Sequence, residues 1–326
     1  MSEKPTYLPK NEKNEIVKEP IYKSHSNAPH AIADAFNAMN KFIDWDNTIW
    51  EMPNTPKWQA LENEMERLKR EIPKISELLK SKAQKWGVDE INKFLKEQGF
   101  SIELEPITSN DLAAASVLNM PVKWKYEWEK STMSLRDKEW EVLKGYEDVD
   151  SVRMDIEDIY KVPGHNNPII KIPTSNWEYV CMTRYDDAPS QWSIGINIIA
   201  ERLNSQLTEK NKKTVWQGKE YSSTVNFPMI DYEKHWDMID VLWAQTTDKN
   251  GNILEIGQAK YQHILKMNEN WATAKAAAAI ATFRSIILIK NADIDGPFII
   301  WFEKDWVIPF SAYISQEYMK KTINLD

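Results

Sequence analysis

The chain has 326 residues, a formal net charge of −8, 42 % hydrophobic and 28 % charged residues. That is long enough to bury a large core, and too acidic for sequence-independent nucleic-acid binding, which needs a basic face. One cysteine, Cys181, excludes an intramolecular disulfide and a cysteine-rich zinc site.

Residues 1–30 are rich in Lys, Glu, Asn, Ser and Pro with few large apolar groups, and read as a flexible tail. This stretch has no apolar run of signal-peptide length, and the chain has no N-x-Ser/Thr acceptor and no membrane-spanning run. A cytoplasmic protein without a membrane partner is expected. Ala31, Ala35, Ala38, Met39 and Phe42 then recur at helical spacing. Gln59 to Lys85 carries a second helical stripe, interrupted at Pro73, and Val88 to Gln98 a third that stops at Gly99. Leu112 to Trp124 is a long apolar run expected to be a buried central strand. Strands are also expected at Ile169–Ile172, Tyr179–Met182, Trp192–Ile199, Thr224–Met229, Ala259–Met267, Pro297–Glu303 and Ile308–Ser315. A helix is expected at Glu201–Leu207, and Asn250-Gly251-Asn252 reads as a turn. The order, helices first and then mostly strands, predicts an α+β fold: residues 31–326 as one domain, 31–110 mainly helical and 111–326 mainly strands.

Familiar chemistry is missing. None of the nine glycines forms a phosphate-binding loop, and none of the five histidines forms H-E-x-x-H or an i, i+4 pair, so no cofactor or metal is expected. His25 and His30 fall in or beside the tail; His235 and His263 read as surface or satisfied core residues. Cys181 lies in an apolar strand pattern, where a buried, inert thiol is expected. No constellation supports an enzyme.

Residues 268–285, NENWATAKAAAAIATFRS, hold the pattern that bears most on function. Two readings stay open: an Ala-rich helix, or a strand with one clean face. In the strand reading Ala272, Ala274, Ala276, Ala278, Ile280 and Thr282 share one face, all small or apolar, while Lys275 falls on the other with Trp271.

Further along the chain, Asp295-Gly296-Pro297-Phe298-Ile299-Ile300-Trp301-Phe302 and then Pro309-Phe310-Ser311-Ala312-Tyr313-Ile314 resemble the C-terminal part of the serpin superfamily. Leu112 to Trp128 resembles that family's central strand motif, with Trp124 as the aromatic at the top of the sheet; Ser116 and Val122 replace the usual Asn and Gly. Val152-Arg153-Met154, Ile170-Lys171-Ile172-Pro173 with Cys181-Met182, and Thr224 to Leu242 resemble further family motifs in chain order. The resemblance covers residues 85–326; before residue 85 the chain is too short for all the usual helices and outer strands. It implies a serpin-like fold: N-terminal helices, a large mixed sheet, smaller sheets and an exposed C-terminal reactive-centre loop. An intracellular or virally encoded member would match the missing signal peptide. The resemblance further implies a serine-protease inhibitor acting as a suicide substrate. Arg284-Ser285 would be the cleaved bond, a trypsin-like protease the partner, and Ala272 to Thr282 the inserting hinge. Trp271 stands where the family has glycine, which argues for the alternative of a non-inhibitory serpin-fold protein that binds a protein partner.

Overall fold

The structure, a computed structural model, describes residues 24–43, 51, 56–85, 87–106, 112–120, 124–125, 128–156, 158–175, 179–189, 195–213, 224–237, 244–248, 250–256, 258–267 and 292–319. Four α-helices occur among these residues, α1 (Pro29–Ile43), α2 (Pro56–Glu71), α3 (Asp89–Glu97) and α4 (Gly195–Asn204). The first two begin on proline, whose fixed φ and missing N–H suit a first helical position. Ala33 and Phe36 of α1 pack on Leu61, Met65 and Leu68 of α2, which recur at one-turn spacing. His30 is fully buried, and its Nε2 sits 2.9 Å from Glu71 at the end of α2. Arg67 then bridges from Glu71 (3.0 Å) to Glu201 of α4 (2.8 Å).

The central layer is a six-stranded antiparallel sheet. It contains β1 (His25–Asn27), β6 (Ile159–Tyr160), β7 (Ile169–Pro173), β8 (Tyr179–Arg184), β14 (Phe298–Lys304) and β15 (Val307–Ile314), in the order β1-β15-β14-β8-β7-β6. Apart from the polar β1, its strands are mostly continuous apolar runs because both faces are covered. Phe298, Ile300 and Phe302 face one cluster, and Ile299 and Trp301 face a second that includes Ile196, Ala200 and Leu203 of α4. On that second side Lys171 and Glu303 form a buried pair at 2.8 Å, with the Lys171 ammonium 4.0 Å above the Tyr179 ring. A buried charge must be paired, so this contact penalises a slip of β7 or β14 by one residue. Cys181 lies between them, fully buried, and burial pushes its thiol well above the usual range. It is an inert core residue, as its strand pattern implies.

The remaining strands form small groups. A three-stranded sheet has the order β4 (Trp128–Met133), β5 (Val149–Asp155), β9 (Thr224–Pro228). Three antiparallel pairs are β2 (Leu79–Lys85) with β3 (Leu112–Leu118), β10 (Ile230–Asp237) with β13 (Lys260–Met267), and β11 (Gln245–Thr247) with β12 (Ile253–Glu255). The turn before β12 carries Gly251 at φ +82°, with Asp248 accepting from the backbone N–H groups of Asn250 and Asn252.

The sequence expectations need four corrections. The tail does not extend to residue 30: Ser24 to Ala28 are buried, and β1 pairs with β15. The second helical stripe ends at Glu71; a 3₁₀ segment containing Pro73 comes next, and Leu79–Lys85 is a strand. Residues 31–110, expected as mainly helical, thus also hold the strand Leu79–Lys85. Residues 195–199, expected as strand, begin α4, which ends at Asn204 rather than Leu207. The physical reason is a cap from elsewhere in the chain: the Asn27 side-chain oxygen accepts from the backbone N–H groups of Ile196 (2.8 Å) and Asn197 (3.3 Å), satisfying donors at the first turn. Finally, β3 ends at Leu118, short of Trp124.

Asn27→Ala should lower unfolding free energy by about 1–2 kcal/mol, measured from the urea midpoint, because it orphans the α4 N–H groups. Asn27→Asp keeps the acceptor but loses the amide that donates to the Ser26 carbonyl at 3.0 Å and buries a carboxylate, so it should recover only part of the loss.

Candidate functional site

Strands β3 and β13 each have one hydrogen-bonded neighbour among the described residues, β2 and β10 respectively. Their other edges border a single cavity of about 370 Å³, lined by Ala114 to Leu118 on one side and Gln262 to Leu265 on the other. Two strand edges that face one space without a ladder partner among the described residues are a template for another strand, since backbone N–H and C=O groups seek partners.

Each side of the gap is positioned by its sequence. Strand periodicity sends Ala113 and Val117 onto Ile91 and Leu95 of α3, and turns Ser116 the opposite way, toward α1. There the Ser116 hydroxyl donates to Asp34 at 2.8 Å. The small residues Ala114, Ala115 and Ser116 leave the space that larger side chains would fill. On the other strand, Leu265 and Met267 enter the main core, and His263 points the same way. Its Nδ1 lies 2.7 Å from the Ser26 hydroxyl, and Ser26 also lies 2.9 Å from the Tyr232 hydroxyl. The His263 ring meets Phe310 edge-on at 5.5 Å. Ala28, Ala31, Ile32, Ala35, Phe302, Phe310, Phe100 and Ile102 to Leu104 also line the cavity.

The chain returns after the gap at Ala292, where it is firmly held. Asp293 accepts from the Asn226 backbone N–H at 2.8 Å, and the Ile294 N–H donates to the Asn226 carbonyl at 2.9 Å. Arg184, almost fully buried, bonds Asp295 at 2.7 Å and Asp186 at 2.8 Å, donates to the Asp137 carbonyl, and stacks on Trp140 at 4.5 Å. That crowding explains Gly296: a Cβ there would lie 3.0 Å from the Arg136 carbonyl and from the Arg184 guanidinium. Trp124 is buried, bridges to Thr174 and meets Phe227 edge-on at 5.8 Å.

The hinge residues Ala272, Ala274, Ala276, Ala278, Ile280 and Thr282 and the bond Arg284-Ser285 lie outside the described residues. The structure instead gives partners to residues that sequence reasoning passes over, Ser26, Asp34 and Gln262, and places His263 as a satisfied core residue against Ser26. No signal in the chain joins Ser26 to His263, because their pairing depends on β1 lying beneath β13. Among the described residues no group of three or more His, Cys, Asp or Glu side chains is arranged to hold a metal ion.

No protein-family model matches the sequence, and no curated protein sequence matches it. Among solved structures, the chain is similar to Serpin48, a highly specific serpin of the insect Tenebrio molitor, at 12 % identity and a TM-score of 0.47. It is similar at 12 % identity and a TM-score of 0.49 to the mouse protein-Z dependent protease inhibitor. Each likeness covers 88 % of this chain and 96 % of the other. At TM-scores below 0.5 neither likeness alone establishes a shared fold.

Burial, with a smaller contribution from nearby His25, pushes His263 down to about 3. The unfolded chain takes up this proton near pH 6.5, so unfolding binds a proton throughout the interval between the two values. Stability is therefore expected to fall as pH drops from 6.5 toward 3. Denaturant titrations of wild type and His263→Gln at pH 7 and pH 5 test this; the wild type should lose up to about 1.4 kcal/mol more per pH unit than the variant.

Proposed function

We propose that this chain is a serpin-like protein that inhibits a serine protease as a suicide substrate, by inserting its own segment 272–282 between β3 and β13. The observation that carries the reading is the gap itself. It has two strand edges without ladder partners among the described residues, an apolar lining and small residues along β3, and the chain leaves its border at Met267 and is anchored again from Ala292. A chain that reverses after Met267 would run antiparallel beside β13. The alternating small residues of 272–282 suit a strand buried on one face, because a charge carried into the core would be penalised by several kcal/mol. The motif order in the sequence supports the same reading. In this mechanism the protease cleaves Arg284-Ser285 and is held as an acyl-enzyme while insertion releases strain stored in the native sheet. Arg284 would occupy a trypsin-like specificity pocket.

Trp271 favours a second reading. A bulky indole at the pivot would hinder insertion, leaving a serpin-like protein that binds a protein partner without trapping a protease.

Incubation with trypsin separates the two. The inhibitor should form a complex that survives boiling in detergent, and cleaved protein should melt well above the intact form. Clean cleavage near Arg284 with an unchanged melting temperature would leave only the second reading. Within the first reading, Ala276→Arg should abolish complex formation while Lys275→Glu leaves it nearly intact; equal damage from both refutes the alternation.

A further inference from the structure

We propose that Asn250, at the tip of the β11–β12 hairpin, is a site of spontaneous deamidation, and that its isoaspartyl product opens that hairpin. This holds whether or not a strand enters the gap. Asn250-Gly251 is the one Asn-Gly pair in the chain. Glycine matters because no side chain beside its N–H blocks the approach to the asparagine amide. Asn250 and Gly251 are both exposed, and among the described residues no hydrogen bond holds the Asn250 side-chain amide. Two comparable positions are held. The Asn252 amide donates to Asp248 at 3.0 Å, and the branched Ile253 follows it. In Asp295-Gly296, the one Asp-Gly pair, the carboxylate is bonded to Arg184 at 2.7 Å, and an ionised carboxylate is a poor electrophile.

The step consumes only water. A solvent base takes the Gly251 N–H proton, and that nitrogen attacks the Asn250 Cγ. The new N–C bond closes a five-membered succinimide, and the side-chain nitrogen leaves as ammonia. Water then opens the ring. Opening at the side-chain carbonyl leaves aspartate; opening at the main-chain carbonyl leaves isoaspartate, whose main chain runs through the former side chain and gains one methylene. The Gly251 N–H donates to the Asp248 carbonyl at 3.0 Å, so this bond must release first. It sits at an exposed hairpin tip, where local opening is easiest.

The turn makes the isoaspartyl product disruptive. Asp248 gathers it: the carboxylate accepts from the N–H groups of Asn250 (2.8 Å) and Asn252 (2.9 Å), and the Asp248 N–H donates to the Asn252 carbonyl at 2.9 Å. Such bonds need a fixed number of backbone atoms between their ends. A methylene added after Asn250 displaces Gly251 and Asn252 together. The ladder beyond has three residue pairs, and a two-stranded hairpin is marginal without its turn. This hairpin in turn holds Glu51, in the connection between α1 and α2, through paired backbone bonds with Gln245 at 2.6 and 2.7 Å. The Ile256 N–H donates to the Ala244 carbonyl at 2.9 Å, and Ile256 packs on the α1–α2 cluster. Opening the hairpin therefore frees Glu51 and Ile256 together.

The test incubates the full chain at mildly alkaline pH, folded and, in parallel, unfolded in urea. Peptide mapping by mass spectrometry reads conversion at Asn250, Asn252 and Asp295. Folded protein should convert at Asn250 within about tenfold of the unfolded rate, the factor that one hydrogen bond can impose, and well ahead of the other two positions. Slower conversion, or conversion no faster than at Asn252, overturns the site. The isoaspartyl form, separated by chromatography, should show faster hydrogen exchange at the Gln245 and Ile256 amides. Asn250→Asp adds the charge without the methylene and should exchange like the wild type. Unchanged exchange in the isoaspartyl form, or equal acceleration in Asn250→Asp, overturns hairpin opening by the added methylene.

Discussion

Everything in this molecule that invites a functional reading depends on two strand edges that border one space and have no ladder partner there among the described residues. Buried backbone N–H and C=O groups are costly to leave unsatisfied, which is why an open edge inside a protein is uncommon. Among the described residues β3 and β13 each complete a ladder on one side only, and the cavity they border is also lined by Ala31, Ile32 and Ala35 of α1, by Phe302 and Phe310, and by Phe100 and Ile102 to Leu104. A strand placed there would gain backbone hydrogen bonds on both sides and cover apolar surface at once. Among the described residues, both edges thus keep backbone groups without a ladder partner.

The two sides of the gap are anchored to different elements. Ser116 ties β3 to Asp34 of α1, and His263 ties β13 to Ser26 of β1, with Tyr232 sharing the same hydroxyl. Neither anchor crosses the opening. Residues 101–105 are joined to β13 and the residues before it by the side chains of Gln258, Lys260 and Gln262. The neutral His263 ring suits its place: a charged imidazolium would have to be solvated where protein surrounds it.

Much of the fold is legible in the sequence because its strands are apolar on both faces. Ile169–Ile172, Val180–Met182 and Phe298–Phe302 announce themselves as continuous hydrophobic runs, and the covered sheet explains why they do not alternate. The exceptions share a cause. Leu79–Lys85 reads as helix because its lysines and its position after a helical stripe outweigh its short alternation; its pairing with β3 decides otherwise. Residues 195–199 read as strand because their capping group, Asn27, lies far away in the chain. Gly296 is legible as part of a motif but not as a necessity, which only the packing of Arg184 reveals.

The sequence by itself determined the α+β class, the inert buried thiol, the strands of continuous apolar residues and the alternating small residues of 272–282, because composition and periodicity are local properties. Only the tertiary structure decided that β3 and β13 stand apart, that β1 lies beneath His263 and that Gln258, Lys260 and Gln262 grasp residues 101–105. Those facts arise between segments more than a hundred residues apart, and spacing along a chain carries no information about which distant surfaces will meet.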